Sequence, residues 1–323
     1  MLLELIKFED AKTAGFHYGG DAGIKYGIIF DDEVWMVKYP KTTRDMRNPQ
    51  ISYTTSPLSE YIGSKIYETL GTPVHETLLG TRKSKIVVAC KDFLAESRQP
   101  LDGITSLVAA KLIPFHDLKN SFMASDFDAY SGSGSETLLN EVLDTLYGQD
   151  DLKHMPEAVK RFWDMFVIDA FIGNNDRHNN NWGLIFSYNK GIMELAPVYD
   201  NGNAFYNKRS IAQMQKRMDD PVAMKEDALI SIRSAFKYKG LDNEGHKINP
   251  FEFMQEASNS DCSEAVLRFA TKVDICKIEN IINEIPETFG VLSVMPKVQK
   301  DFYKQLLRIR LDYLLELAEK FKD

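Results

Sequence analysis

The sequence predicts an α+β fold in two lobes: a small β-rich N-terminal lobe at residues 1–95 and a larger, mainly helical C-terminal lobe at residues 96–323. Three observations predict it. Residues 15–94 carry short apolar runs separated by Gly- and Asp-rich turns, with a single helical stretch among them. From Pro156 onward, apolar residues recur mostly at helical spacing. Between these regions, residues 114–136 break in composition, and Ser131-Gly132-Ser133-Gly134-Ser135 reads as loop.

In the N-terminal region, five glycines fall within residues 15–27, Gly19, Gly20, Gly23 and Gly27 among them, and Gly27-Ile28-Ile29-Phe30 reads as a strand. Asp31-Asp32-Glu33 makes the turn and Val34–Lys38 the returning strand. Glycines let backbone N–H groups approach phosphate oxygens without obstruction by Cβ. The stretch lacks the Gly-Lys-Ser/Thr ending of a P-loop. Residues 57–70 predict a helix, with Ser56 as N-cap, Pro57 at its first position, and Gly71 and Pro73 beyond its end. Leu58, Ile62, Ile66 and Leu70 form its apolar stripe, and it carries two glutamates, Glu60 and Glu68. Val74–Leu79 and Lys85–Leu94 read as two more strands around a Gly80–Ser84 turn.

In the C-terminal region, Glu136–Leu146 and Pro156–Ile172 predict helices, the second with Phe162, Phe166 and Ala170 on one face. Leu184–Phe186 and Ile192–Val198 predict a hairpin around Asn189-Lys190-Gly191. Residues 203–226 hold Lys208, Arg209, Lys216 and Arg217 and read as a solvated basic stretch. Residues 227–323 read as helices around one polar turn at 239–245, ending in a long helix at about 298–321.

Composition excludes several classes. No run reaches the ~18 apolar residues of a membrane span. The N-terminus lacks a basic n-region and a small-residue cleavage site, which points to a cytoplasmic protein, with delivery by a secretion system left open. A net charge of -8 argues against generic nucleic-acid binding. Cys90, Cys262 and Cys276 are too far apart for a disulfide framework or a zinc motif and read as reduced buried thiols.

The chemistry concentrates at Gly173–Gly183, which reads Gly-Asn-Asn-Asp-Arg-His-Asn-Asn-Asn-Trp-Gly, and at Leu195–Gly202. Asp176, Asn181 and Asp200 follow the order in which a protein kinase presents its base and its two metal ligands. The hairpin at 184–198 can return Asp200 to the side of Asn181. A kinase also needs a lysine on the strand beyond its glycine-rich loop and a glutamate on the next helix. Lys38 and Glu60 fit, with Glu68 as the rival partner. Asn181 and Asp200 offer oxygen ligands suited to Mg²⁺. An EF-hand reading fails on spacing, and His178 has no Cys or second His at zinc-ligand spacing.

Asp176-x-His178-x-x-Asn181, followed by Ala196-Pro197-Val198-Tyr199-Asp200, resembles the signature of HipA-like Ser/Thr kinases. Gly19–Gly27 with Lys38, and Glu60 with Leu70-Gly71-Thr72-Pro73-Val74, are similar as well. The resemblance runs from about residue 15 to 205 and is greatest to the compact, stand-alone members. It implies a protein-kinase-like fold that transfers the γ-phosphate of ATP, with Mg²⁺, to a protein hydroxyl and also autophosphorylates. It implies Asp176 as base, Lys38 and Glu60 as the phosphate-holding pair, and Asn181 and Asp200 as metal ligands. Gly19, Gly20, Gly23, Lys25, Gly27, His178 and a hinge at Cys90, Lys91, Asp92 and Phe93 would contact the nucleotide. Residues 18–27 hold no Ser or Thr, so the loop serine that full HipA toxins phosphorylate has no counterpart. Asp176-Arg177-His178-Asn179-x-Asn181 also resembles the catalytic loop of phosphoinositide kinases, which keeps a lipid or small-molecule kinase as the alternative. Those enzymes carry Asp-Phe-Gly at the metal aspartate, where this chain has Asp200-Asn201-Gly202. A nucleotide-binding module without chemistry is the other alternative.

Overall fold

A computed structural model describes residues 2–17, 25–47, 49–95, 110–124, 137–239 and 245–322. Gly19, Gly20 and Gly23 lie outside the described residues. The N-terminal part is a six-stranded sheet in the order β1-β5-β6-β4-β3-β2. Its strands are β1 (Ile6–Lys7), β2 (Lys12–His17), β3 (Lys25–Phe30), β4 (Glu33–Lys38), β5 (Thr77–Arg82) and β6 (Lys85–Lys91). β1 runs parallel to β5, and the other pairings are antiparallel. Asp31 and Asp32, both at positive φ, form the two-residue β3–β4 turn.

Helix α1 (Ser56–Thr69) crosses between β4 and β5. Thr55, not Ser56, takes the cap position, one residue earlier than the sequence predicts. The stripe of Leu58, Ile62, Ile66 and Leu70 is buried against Leu79, Val88 and Cys90. Phe8, Ile28, Trp35, Val37, Val87 and Ala89 form a second apolar cluster on the sheet. β5 begins at Thr77 rather than Val74, because Val74 pairs instead with Val198 in an isolated parallel bridge.

A three-stranded sheet joins β7 (Ala110–Pro114), β8 (Gly183–Ser187) and β9 (Ile192–Leu195) in that order. Around it lie α2 (Phe115–Ala124), α3 (Leu139–Gly148), α4 (Asp150–Lys153) and α5 (Pro156–Ile172). The expected helix at 136–146 thus starts three residues later, at Leu139, because Leu138 bridges to Lys237. α5 keeps its predicted bounds, but Trp163, Met165, Val167 and Phe171 are buried together with Phe162, Phe166 and Ala170. It is a core helix rather than an amphipathic one.

The remainder comprises α6 (Ile211–Met218), α7 (Pro221–Lys225), a π-helical turn at Glu226–Ile230, α8 (Pro250–Glu256), α9 (Ser260–Lys272), α10 (Ile275–Glu284) and α11 (Lys297–Lys320). Two short hairpins interrupt the expected run of helices: β10 (Lys237–Lys239) with β11 (Gly245–Lys247), and β12 (Thr288–Phe289) with β13 (Leu292–Ser293). The basic stretch at 203–226 is not simply solvated. Arg209 and Arg217 both bond the carboxylate of buried Asp227, Arg217 through Nε and Nη2 at 2.7 Å each. Among the described residues no helix is long and apolar enough to cross a membrane.

Candidate active site

The site lies where the sheet, α1 and the loops after α5 and β9 meet. Lys38 ends β4, and its Nζ lies 2.9 Å from Glu60 Oε2 and 2.9 Å from Asp200 Oδ1. Three segments far apart in sequence therefore converge on one ammonium group. Burial alone would push the Lys38 pKa down, but the Asp200 and Glu60 carboxylates outweigh it and hold it well above its ordinary value. Burial would raise the Glu60 carboxyl; the Lys38 charge and His75 bring it below the usual carboxylate range. Asp200 shifts down in the same way, burial opposing and Lys38 prevailing. Lys25 stands opposite Lys38 across the β3–β4 pair, and burial lowers its pKa against the pull of Asp200. Gly27 is buried in β3, opposite Met36.

Glu68 plays no part here. It is 61% exposed and pairs with Lys65 on the same helix at 2.8 Å. The two glutamates are thereby separated: one is buried against the sheet lysine, the other is in solvent.

The loop after α5 is built from its own backbone. Gly173 closes the helix at φ 73, and an added Cβ there would meet the Arg310 guanidinium at 2.9 Å, so glycine is required twice over. Asn174 Oδ1 accepts the Asp176 N–H at 3.2 Å, and the Asn181 side-chain amide donates to the Asp176 carbonyl at 2.8 Å. That second bond uses the Asn181 amide nitrogen and leaves its Oδ1, a neutral oxygen, without a hydrogen-bond partner among the described residues. The Asp176 carboxylate is half-buried and has no hydrogen-bond partner among the described residues. His178 works within the loop: its Nδ1 accepts the Asn180 N–H at 3.3 Å.

Arg177 ties this loop to Asp200. It is 1% exposed and forks onto Asp169 at 2.8 and 3.1 Å. It also donates to the carbonyls of Asn181 and Tyr199 and to Asn201 Oδ1. Bonding both carbonyls brings the Asn181 and Asp200 segments together, as the hairpin at 184–198 led one to expect. Asp200 itself has φ 63, an uncommon value for a side-chain-bearing residue. Asn201, fully buried, donates its N–H to Glu60 Oε1 and its amide to Ser64 Oγ, both at 3.0 Å. Arg177, Asp169, Asn201, Ser64 and His75 received no role from sequence. The one available signal was Asp169, the single charged residue in the apolar run Met165–Ile172 at the end of α5, which must find a partner.

The expected hinge is less uniform than the sequence suggests. Cys90 lies inside β6, registered against Met36 and Thr77, with a buried thiol whose pKa burial raises. The N–H groups of Lys91 and Asp92 already donate to Glu76 and Val34. Phe93 stands at the site, its ring centroid 6.0 Å from that of Tyr199.

Asn181 and Asp200 offer a neutral and an anionic oxygen, a hard donor pair that fits a small hydrated cation sharing further oxygens with a phosphate. A cation-bearing strand, a carboxylate pair and an open aspartate can together hold a polyphosphate and orient a hydroxyl.

The family described as HipA-like C-terminal domain matches residues 25–270. The serine/threonine-protein kinase CtkA of Helicobacter pylori (strain J99 / ATCC 700824) is 33% identical over 302 residues, spanning 93% of this chain and 83% of that protein. A crystal structure of the H. pylori proinflammatory kinase CtkA superposes with a TM-score of 0.81 at 31% identity, covering 98% of this chain and 99% of the other. A chain from the Shewanella oneidensis MR-1 complex of HipA, HipB and operator DNA shares the fold at TM-score 0.53 and 14% identity, over 98% of this chain and 75% of its own length. This chain, with its two-lobed protein-kinase-like fold, belongs to the HipA-like family.

Proposed function

We propose that the chain is an ATP- and Mg²⁺-dependent kinase that transfers the γ-phosphate to a serine or threonine of a protein, its own chain included. The observation that carries this reading is Lys38 held between Glu60 and Asp200. The kinship with a named serine/threonine-protein kinase supports it. Residues 1–95 then act as the nucleotide-covering lobe and 96–323 as the lobe carrying the catalytic loop.

Lys38, kept cationic by its two carboxylates, holds phosphate oxygens, while Glu60 fixes its direction. Lys25, Gly27 and the glycine-rich loop cover the phosphates from above, and Phe93 borders the base. Asn181 and Asp200 would hold Mg²⁺, which when bound neutralises phosphate charge. Asp176 orients the acceptor hydroxyl and takes its proton as the hydroxyl oxygen bonds the γ-phosphorus and the bond to the ADP oxygen breaks. His178 shapes the loop beside the nucleotide.

The test is transfer of label from γ-labelled ATP, with Mg²⁺, to a cell extract and to the protein itself. Asp176→Asn and Asp200→Asn should each lower protein labelling by about 10²-fold or more while leaving the circular dichroism spectrum unchanged. Labelling by both variants at the wild-type rate overturns the reading, and label in lipid without label in protein replaces it with a lipid kinase. Label on the chain itself should map outside residues 18–27.

A further inference from the structure

We propose that Glu60, His75 and Cys90 form a binding site for Zn²⁺ at the junction of α1 with the sheet, separate from the all-oxygen pair Asn181 and Asp200. Three structural segments deliver the donors: α1 gives Glu60, the run into β5 gives His75, and β6 gives Cys90. All three residues are buried, and one donor atom from each lies within 4.8 Å of the other two. Tetrahedral zinc, with bonds of about 2.0–2.3 Å, spaces its donors roughly 3.5 Å apart, so only a small closure is needed.

A second observation points at a ligand. His75 Nε2 lies 3.0 Å from Glu60 Oε1, yet it forms no aligned hydrogen bond there and has no other partner among the described residues. Buried polar atoms ordinarily find such a partner. The imidazole nitrogen and the carboxylate oxygen are thus already about as close as two adjacent ligands of one tetrahedral ion. Thr77 Oγ1 is likewise buried without a partner, and Thr77 registers opposite Cys90, so both side chains leave the same face of the sheet. The mixture of sulfur, imidazole nitrogen and carboxylate oxygen suits zinc and does not suit Mg²⁺. Glu60 can serve both partners, because Oε2 faces Lys38, while Oε1 faces His75 and keeps a second lone pair beyond the one that accepts the Asn201 N–H. The ion would therefore pin α1 to β6 and to the run into β5, fixing the carboxylate that holds Lys38.

The test uses the full chain stripped of metal, titrated with Zn²⁺ alone against a chromophoric chelator and with Co²⁺ as a spectroscopic probe. Expected are one ion per chain, no displacement by excess Mg²⁺, and a thiolate-to-cobalt charge-transfer band. Cys90→Ser should abolish that band, while Cys262→Ser and Cys276→Ser should keep it. His75→Asn should weaken Zn²⁺ binding at least about tenfold, the smallest loss typical even for a group that only supports a metal ligand. Zinc-edge X-ray absorption of the wild-type protein should show one sulfur at about 2.3 Å, which decides the matter if Cys90→Ser does not fold. Absence of binding, a cobalt band that survives Cys90→Ser, or a zinc shell without sulfur overturns the site. None of these readouts uses ATP turnover, so this proposal and the kinase reading fail separately.

Discussion

Glu60→Gln tests the centre of the site with little change in volume. The wild-type carboxylate is buried and takes three contacts: Lys38 Nζ at 2.9 Å, His75 Nε2 at 3.0 Å and the Asn201 N–H at 3.0 Å. In the metal-free protein the amide can still accept from Asn201, so the loss is chiefly the charge facing Lys38. Removing one partner of a buried ion pair costs about 3–5 kcal/mol. Lys38 keeps Asp200 at 2.9 Å, which puts the expectation at the low end, about 3 kcal/mol. At roughly 2 °C per kcal/mol for a chain of this size, Tm should fall by about 6 °C. Glu68→Gln is the control, because Glu68 is 61% exposed and its pair with Lys65 should contribute within about 0.5 kcal/mol. Urea midpoints and calorimetry measure both variants, and initial rates of label transfer measure activity. Glu60→Gln should also lower kcat/KM, since Lys38 is then drawn toward Asp200 alone, whereas Glu68→Gln should match wild type. Equal Tm and equal kcat/KM for the two variants would refute the assignment of Glu60 as the lysine's partner.

Three further outcomes follow from the same geometry. Glu60 has a depressed carboxyl, so its contribution is present above the unfolded value of about 4.3 and is lost as pH falls below it. The urea midpoint of wild type should therefore fall more steeply between about pH 5 and pH 3 than that of Glu60→Gln; parallel curves would contradict the shift. Lys38 contributes nothing to that limb, since its raised value keeps its contribution intact until pH climbs past about 10.4. A double-mutant cycle of Ser64→Ala and Asn201→Ala should show a coupling of about 0.5–1.5 kcal/mol from their 3.0 Å bond, and strict additivity would mean that the bond contributes nothing. Gly183→Ala should cost about 3 kcal/mol or more, read as loss of soluble protein or a large drop in Tm. A Cβ there would overlap the Ile113 carbonyl oxygen and sit 2.9 Å from Pro114 Cα across the β7–β8 pair; a fully stable variant would place β8 wrongly.

The parts of the site legible in the sequence are those encoded locally. Asp176 and Asn181 sit five residues apart because their loop is tied by a bond between them, and such a loop has a fixed length. Lys38 was legible because a two-residue turn sets the β3–β4 register, which fixes where the strand ends. Even the choice between Glu60 and Glu68 had a local clue. Lys65 and Glu68 stand three apart on one helix, a spacing that pairs charges at the surface. The fold failed to read where distant segments override local pattern. Val74 looks like strand but is claimed by Val198, and the hairpin at Thr288–Ser293 has strands too short to leave a period. His75 carries no spacing signal at all, because its neighbours Glu60 and Cys90 reach it through tertiary structure alone.

The segment Tyr199-Asp200-Asn201-Gly202 separates this chain from kinases with phenylalanine after the metal aspartate, and the structure supplies a physical reason for the difference. Asn201 sits at 0% exposure among polar partners: Arg177 donates a hydrogen bond to its Oδ1, its amide donates to Ser64 Oγ, and its own N–H donates to Glu60. An apolar ring here would strip Ser64 of this donor and Arg177 of one acceptor, each a buried loss of about 1–3 kcal/mol. Gly63 is what lets α1 approach this residue so closely, since a Cβ on Gly63 would lie 3.0 Å from Asn201 Cβ. Gly202 is constrained from the other side, because a Cβ there would lie 3.0 Å from Glu60 Oε2, the oxygen that holds Lys38. In this chain α1 is therefore held against the Asp200 loop by directed hydrogen bonds at small residues rather than by an inserted ring. Asp200, at its uncommon φ, is positioned by that polar latch together with Lys38.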